Sequence, residues 1–144
     1  MPSRHFLVTM GAAAALAAVL LLLAGCGGLP ASQTKAYLDS IPLGDLSALA
    51  AAKGNGTYSG TYTLAMPPGA MAMYRTVSVD VTVAGGVVTA ITLTTPSQLD
   101  TADFAQTIIP QVIGPPQTLE VDGVSGASFS SKAFEKAVEN ALSK

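Results

Sequence analysis

Histidine and cysteine are almost missing from this 144-residue chain, which holds one of each, His5 and Cys26, and neither recurs after residue 26. Without an imidazole or a second thiol, the body of the chain cannot attach haem, ligate an iron–sulfur cluster or build a Cys/His zinc site. A Ser-His-Asp triad and a cysteine nucleophile are excluded there for the same reason. Charge is sparse too: 11% of residues, seven Lys and Arg against nine Asp and Glu. The net charge of −2 offers no basic face for nucleic acid. A carboxylate-only site for calcium or magnesium stays chemically open. However, Asp39, Asp45, Asp80, Asp100, Asp103, Glu120 and Asp122 are scattered rather than crowded into one loop. If such a chain moves electrons, a bound organic cofactor has to carry them.

Long apolar runs are limited to one. Met1 to Arg4 make a short basic start, Phe6 to Leu23 are almost wholly apolar, and Leu23-Ala24-Gly25-Cys26 follows. A run of that length is enough for a permanent bilayer-spanning helix, which is one reading. The small residues directly before the cysteine argue for a cleaved signal instead. Leu-Ala-Gly-Cys is similar to the lipobox of bacterial lipoproteins. That resemblance implies cleavage before Cys26, lipidation of its thiol, and an anchored protein on the extracytoplasmic face of the cell membrane, or on the periplasmic side where an outer membrane exists. The expected organisation is a signal peptide over 1–25, a lipidated cysteine with tether and short helices over 26–54, and a folded domain over 55–144. The mature chain would have 119 residues and a net charge of −3, enough for one domain with a single modest core.

Periodicity predicts an α+β fold, a small antiparallel sheet with a central hairpin packed by two helices. Thr34 to Ile41 reads as a helical turn or two, stopped by Pro42. Asp45 suits the N-cap of an alanine-rich helix over Leu46 to Lys53 that belongs to the stalk. Gly56 to Thr63 has strand composition, with Tyr58 and Tyr62 on one face. In the connection after it, Met66, Met71, Met73 and Tyr74 read either as a soft apolar rim for a planar ring or as ordinary core filling. Val77 to Val83 alternates valine with polar residues, Ala84-Gly85-Gly86 turns, and Val87 to Thr94 returns as a second strand. Ala102 to Ile113 reads as a helix kinked or split at Pro110, and Thr118 to Val121 as a short strand. Last comes a helix with Ala133, Phe134, Ala137, Val138, Ala141 and Leu142 in one stripe. On its wet side Lys132, Glu135, Lys136 and Glu139 form like-charge i,i+4 pairs.

Val121-Asp122-Gly123-Val124-Ser125-Gly126-Ala127-Ser128-Phe129-Ser130-Ser131 is the densest chemical signal. Glycine lets backbone approach a ligand closely. Hydroxyls at the start of a helix lie where N–H groups are unpaired and the dipole favours an anion. A phosphate-sized site is the physical reading. Ser130 and Ser131 read as helix caps, Ser125 as bonding its own turn, and Asp122 as an Asx-turn brace or a steering carboxylate.

Asp-x-x-Ser-Gly-Ala-Ser, then hydroxyls and a helix, resembles the flavinylation motif of FMN-binding domains, a family that includes the flavoprotein subunits of the sodium-translocating NADH:quinone reductase and of the Rnf complex. Asn55 to Gly60 is similar to the start of that domain, and the hairpin to its centre. The resemblance spans roughly Asn55 to Leu142. It implies FMN held through a phosphoester on Ser128, with Asp122, Ser125, Gly126 and Ala127 around it, attached from FAD by a separate flavin transferase. It further implies electron transfer with unknown redox donors and acceptors. Two departures stand out: serine occupies the acceptor position where threonine is commoner, and Thr95 to Asp100 replaces a His/Lys/Gly-rich segment. Alternatives from other classes are an enzyme reducing an envelope substrate through the same flavin, and a non-redox or noncovalently FMN-binding lipoprotein acting as a binding or scaffold module.

Overall fold

The computed structural model describes residues 29–68, 74–94, 101–124 and 127–144. The expected signal peptide over 1–25 and Cys26, Met71, Met73, Thr95 to Asp100, Ser125 and Gly126 therefore lie outside the described residues. The elements run α1 (Ala31–Asp39), α2 (Leu46–Ala51), β1 (Gly56–Ala65), β2 (Tyr74–Ala84), β3 (Val87–Leu93), α3 (Thr101–Ile113) and α4 (Ser128–Ser143). Together they make the expected α+β fold.

Alternation in β2 organises everything else. Val77, Val79, Val81 and Val83 are all fully buried on one side, as a period of two requires. β2 sits between β1 and β3 in a three-stranded antiparallel sheet. Gly85 and Gly86 have φ of 62° and 78°, the positive pair that a two-residue type I′ hairpin turn needs. Asn55 Oδ1 accepts a hydrogen bond from the Gly85 N–H at 2.8 Å and ties the turn to the start of β1.

Helices cover only the valine face. α4 lies across β1 and β2, burying Ala133, Phe134, Ala137, Val138, Ala141 and Leu142, the stripe its sequence predicts. Contact with β1 is close enough to require glycine: a Cβ on Gly60 would fall 2.5 Å from Ala141 N and 2.8 Å from Ala141 Cβ, and closer still to the Ala137 carbonyl. α3 adds Phe104, Ile108 and Val112, with the Phe104 and Phe134 rings edge to face at 6.0 Å. The opposite face of the sheet is a hydroxyl surface. There Thr57 pairs with Thr82, Ser59 with Asp80, Thr61 with Ser78 and Thr63 with Thr76, at 2.6 to 3.1 Å.

Three expectations change. The alanine-rich helix is not stalk: Asp45 caps it through Ala48 N at 3.2 Å, as expected, but Leu46 and Ala50 belong to the core. Of the kink or split expected at Pro110, the split does not occur: α3 continues as one helix through it, with Phe104, Ile108 and Val112 buried on one phase. Finally, residues 118–121 are irregular rather than a strand. The outward backbone groups of β3 at Val88 are taken by a side chain instead. Gln117 Oε1 accepts from Val88 N at 2.9 Å, and Gln117 Nε2 donates to Val88 O at 2.6 Å. The amide thus does at one point what a fourth strand would do along its length. On the other edge, Asn140 Nδ2 donates to Thr61 O at 3.0 Å and Tyr37 OH to Ala65 O.

Candidate functional site

α4 and β1 run in opposite directions. Lys53 Nζ, beside the Tyr58 ring, reaches the Lys144 carbonyl. Tyr37, bonded to Ala65, meets Phe129 with ring centroids 6.3 Å apart. The N-terminus of α4 therefore lies at the far end of β1 from the chain terminus, where α1 also packs. Between them opens a cleft of about 820 Å³, walled by α1, residues 41–43, residues 120–124 and the first two turns of α4.

Ser128 is exposed, is the first residue of α4 and lines this cleft. Ala127 holds the N-cap position and supplies no side-chain cap. Among the described residues no side chain caps the first N–H groups of this sixteen-residue helix, at the end where the helix dipole favours negative charge. The expected hydroxyl caps are absent, which corrects the reading of Ser130 and Ser131. Both are buried inside the first turn. Ser131 Oγ donates to Ala127 O and accepts from Val124 N, each at 3.0 Å. That Val124 N–H is the donor an Asx-turn at Asp122 would use, so Ser131 and not Asp122 braces the turn. Asp122 is exposed on the cleft wall. Gly123 lies beside it, where an added Cβ would make ordinary contact with Ser131 Cβ and Oγ at 3.4 Å.

Ser128, Ser131, Lys132 and Glu135 all line the cleft, the i, i+3, i+4, i+7 set of one helical face. The expected like-charge pairs at i,i+4 give way to opposite pairs at i,i+3: Lys132–Glu135 at 3.3 Å and Lys136–Glu139 at 2.8 Å. This side of α4 is covered rather than solvated. Lys136 donates to Pro42 O at 3.1 Å, and Glu139 accepts from Gly44 N at 3.1 Å, pinning the 42–44 wall onto the helix. Burial pushes the Glu135 carboxyl up to about 7, with Glu120 adding to the rise and Lys132 opposing it.

The Met/Tyr rim is only partly within view: Met66 is half-buried and Tyr74 is 61% exposed at the start of β2. Neither lines the cleft. Among the described residues no cluster of His, Cys, Asp or Glu could hold a metal ion. The cleft thus offers an exposed serine hydroxyl, a helix start without a side-chain cap and an apolar wall of Leu38, Ile41, Leu43, Val121 and Val124. That set suits a flat organic group carrying a phosphate. Sequence reasoning missed Lys132, Glu135 and the α1 wall; the helical phase counted from Ser128 was the available signal for the first two. Residues 73–143 match the model of a family described as FMN-binding domain. No curated protein and no solved structure matches the chain.

Proposed function

Because residues 73–143 belong to the FMN-binding domain family, we propose that FMN is held in this cleft as a phosphoester on Ser128 and that the protein is a lipid-anchored, extracytoplasmic electron carrier. The observation that carries this reading is Ser128 itself, an exposed hydroxyl at an uncapped helix N-terminus opening onto a cleft large enough for a flavin. Cleft charge favours covalent attachment over free FMN. Asp39, Glu120, Asp122 and Glu135 line it against Lys35 and Lys132, and both ammoniums are already paired, with Asp39 and Glu135. A free phosphate dianion would find the two unpaired carboxylates Glu120 and Asp122 and, among the described lining residues, no uncommitted lysine. A phosphodiester carries one charge, which the helix start accommodates.

Attachment forms a bond from Ser128 Oγ to the phosphorus of the FMN half of FAD, breaks the pyrophosphate bond and releases AMP. The hydroxyl proton has to leave with help. Asp122 is the one carboxylate in the motif and the motif holds no histidine, so this reading assigns the base and magnesium to a separate flavin transferase. When bound, FMN supplies one- or two-electron chemistry. The chain's residues position the phosphoester, wall the ring with α1 and keep the turn rigid through Ser131. Among the described residues no helix is long and apolar enough to cross a membrane. The anchor proposal rests on Leu23-Ala24-Gly25-Cys26.

Intact mass of the exported protein, made with a flavin transferase, tests the assignment. Wild type should gain FMN less one water and Ser128→Ala should not. A colourless, unmodified wild type would instead support the scaffold reading.

A further inference from the structure

The floor of the cleft holds a group that attachment does not use. Glu135 is 4% exposed yet lines the cleft, two helical turns from Ser128, a rise of about 10 Å along one face. Its ion-pair partner is Lys132 at 3.3 Å. Other charges face it from each neighbouring element. Glu120 and Asp122 come from the segment before α4, and Lys35 and Asp39 from α1, paired with each other. Lys136 and Glu139 follow on α4 and are committed to each other and to residues 42–44.

Burial holds this carboxyl near neutrality, at about 7. A group poised between its two states responds to charge placed beside it. Proton exchange with solvent has an open route, because the floor it occupies belongs to a cleft and not to a closed core.

Resting on the FMN reading above, we propose that Glu135 is the cleft's proton acceptor, taking a proton from solvent when the cofactor gains negative charge. The electron comes from a reduced carrier, which is oxidised by one electron. An O–H bond of a solvent hydronium breaks, an O–H bond forms at a Glu135 carboxylate oxygen, no bond of the protein breaks, and the net charge of the cleft is unchanged. Lys132, left beside a neutral acid, then has its ammonium released toward the new negative charge. Reoxidation reverses both transfers. The residue acts through charge compensation and makes the potential depend on pH beyond the cofactor's own protonation.

The test uses the full-length flavinylated protein, its loading verified by mass, as wild type, Glu135→Gln and Glu135→Asp. Midpoint potentials are measured by spectroelectrochemistry from pH 5.5 to 8.5, and the Glu135 carboxyl is followed by carbon-13 NMR in both redox states. Wild type and Glu135→Asp should show a steeper fall of potential above about pH 7 than Glu135→Gln, so that the difference between variants widens with pH. The carboxyl should titrate about one unit or more higher in the reduced protein. Parallel potential curves, or a carboxyl that titrates at the same pH in both states, overturn the proposal. An unmodified mass overturns the FMN reading beneath it, and is seen before any potential is measured.

Discussion

Glu135→Gln should stabilise this protein above neutral pH and leave it little changed in acid. A buried carboxyl raised from 4.5 to about 7 favours the folded state while it is protonated. That contribution is complete below pH 4.5 and is lost as pH rises through 7. A shift of this size corresponds to about 3.5 kcal/mol at most, at roughly 1.4 kcal/mol per pH unit. Glutamine keeps the volume and does not titrate, so the wild-type penalty at pH 8 is absent in the variant. The other carboxylates titrate equally in both proteins and cancel in the difference. Urea unfolding of the cofactor-free forms at pH 5, 6, 7 and 8 measures it directly. The stability difference should move in favour of Gln by about 2–3 kcal/mol between pH 5 and 8, with a melting-temperature gap on the order of 10 °C at the upper end. A difference constant to within about 0.5 kcal/mol would refute the reasoning, because it would mean that Lys132 fully compensates the desolvation.

Gly60→Ala should cost about 3 kcal/mol or more in urea unfolding, since the added methyl meets α4 backbone that cannot yield; a cost under about 1 kcal/mol would show that the helix can shift. Gln117→Ala uncovers both Val88 backbone groups and should lose about 1–3 kcal/mol, with faster amide exchange at Val88 as the local signature. Ser131→Ala removes the brace between Ala127 and Val124; it should lower stability by about 1–2 kcal/mol and slow FMN incorporation read by mass. Ser128→Ala, at an exposed position, should abolish incorporation while changing stability by no more than about 0.5 kcal/mol.

What was legible in the chain followed from period and cap chemistry. The valines of β2, the paired glycines of its turn, Asp45 at its helix and the apolar stripe of α4 each act locally, so their neighbours in sequence suffice to read them. The errors all arose where a distant segment changed the meaning of a local pattern. Residues 118–121 were read as a strand because their composition allows one, but they are irregular, and the Gln117 amide holds the outward groups of β3 at Val88. Lys132, Glu135, Lys136 and Glu139 look like a solvated face until α1 and residues 42–44 cover it. Then i,i+3 pairing replaces i,i+4, and one acid is driven up its titration scale. Ser131 looked like a cap because its spacing fits one, but the N-cap falls at Ala127 and the hydroxyl turns back to hold the loop. Ser128 was legible from the motif; the cleft beside it was not, because half its wall comes from residues 31–43, almost a hundred positions upstream.

In a sheet of three strands, two are borders, and each border is an invitation for another chain to add itself. Here the invitation is declined at a few chosen atoms. Gln117 occupies β3 at Val88, Asn140 occupies β1 at Thr61, and Tyr37 occupies its last carbonyl at Ala65. A strand arriving at either border would have to displace side chains already bonded there before its own ladder could register. Three polar side chains thereby make so small a sheet a poor template for edge-to-edge pairing.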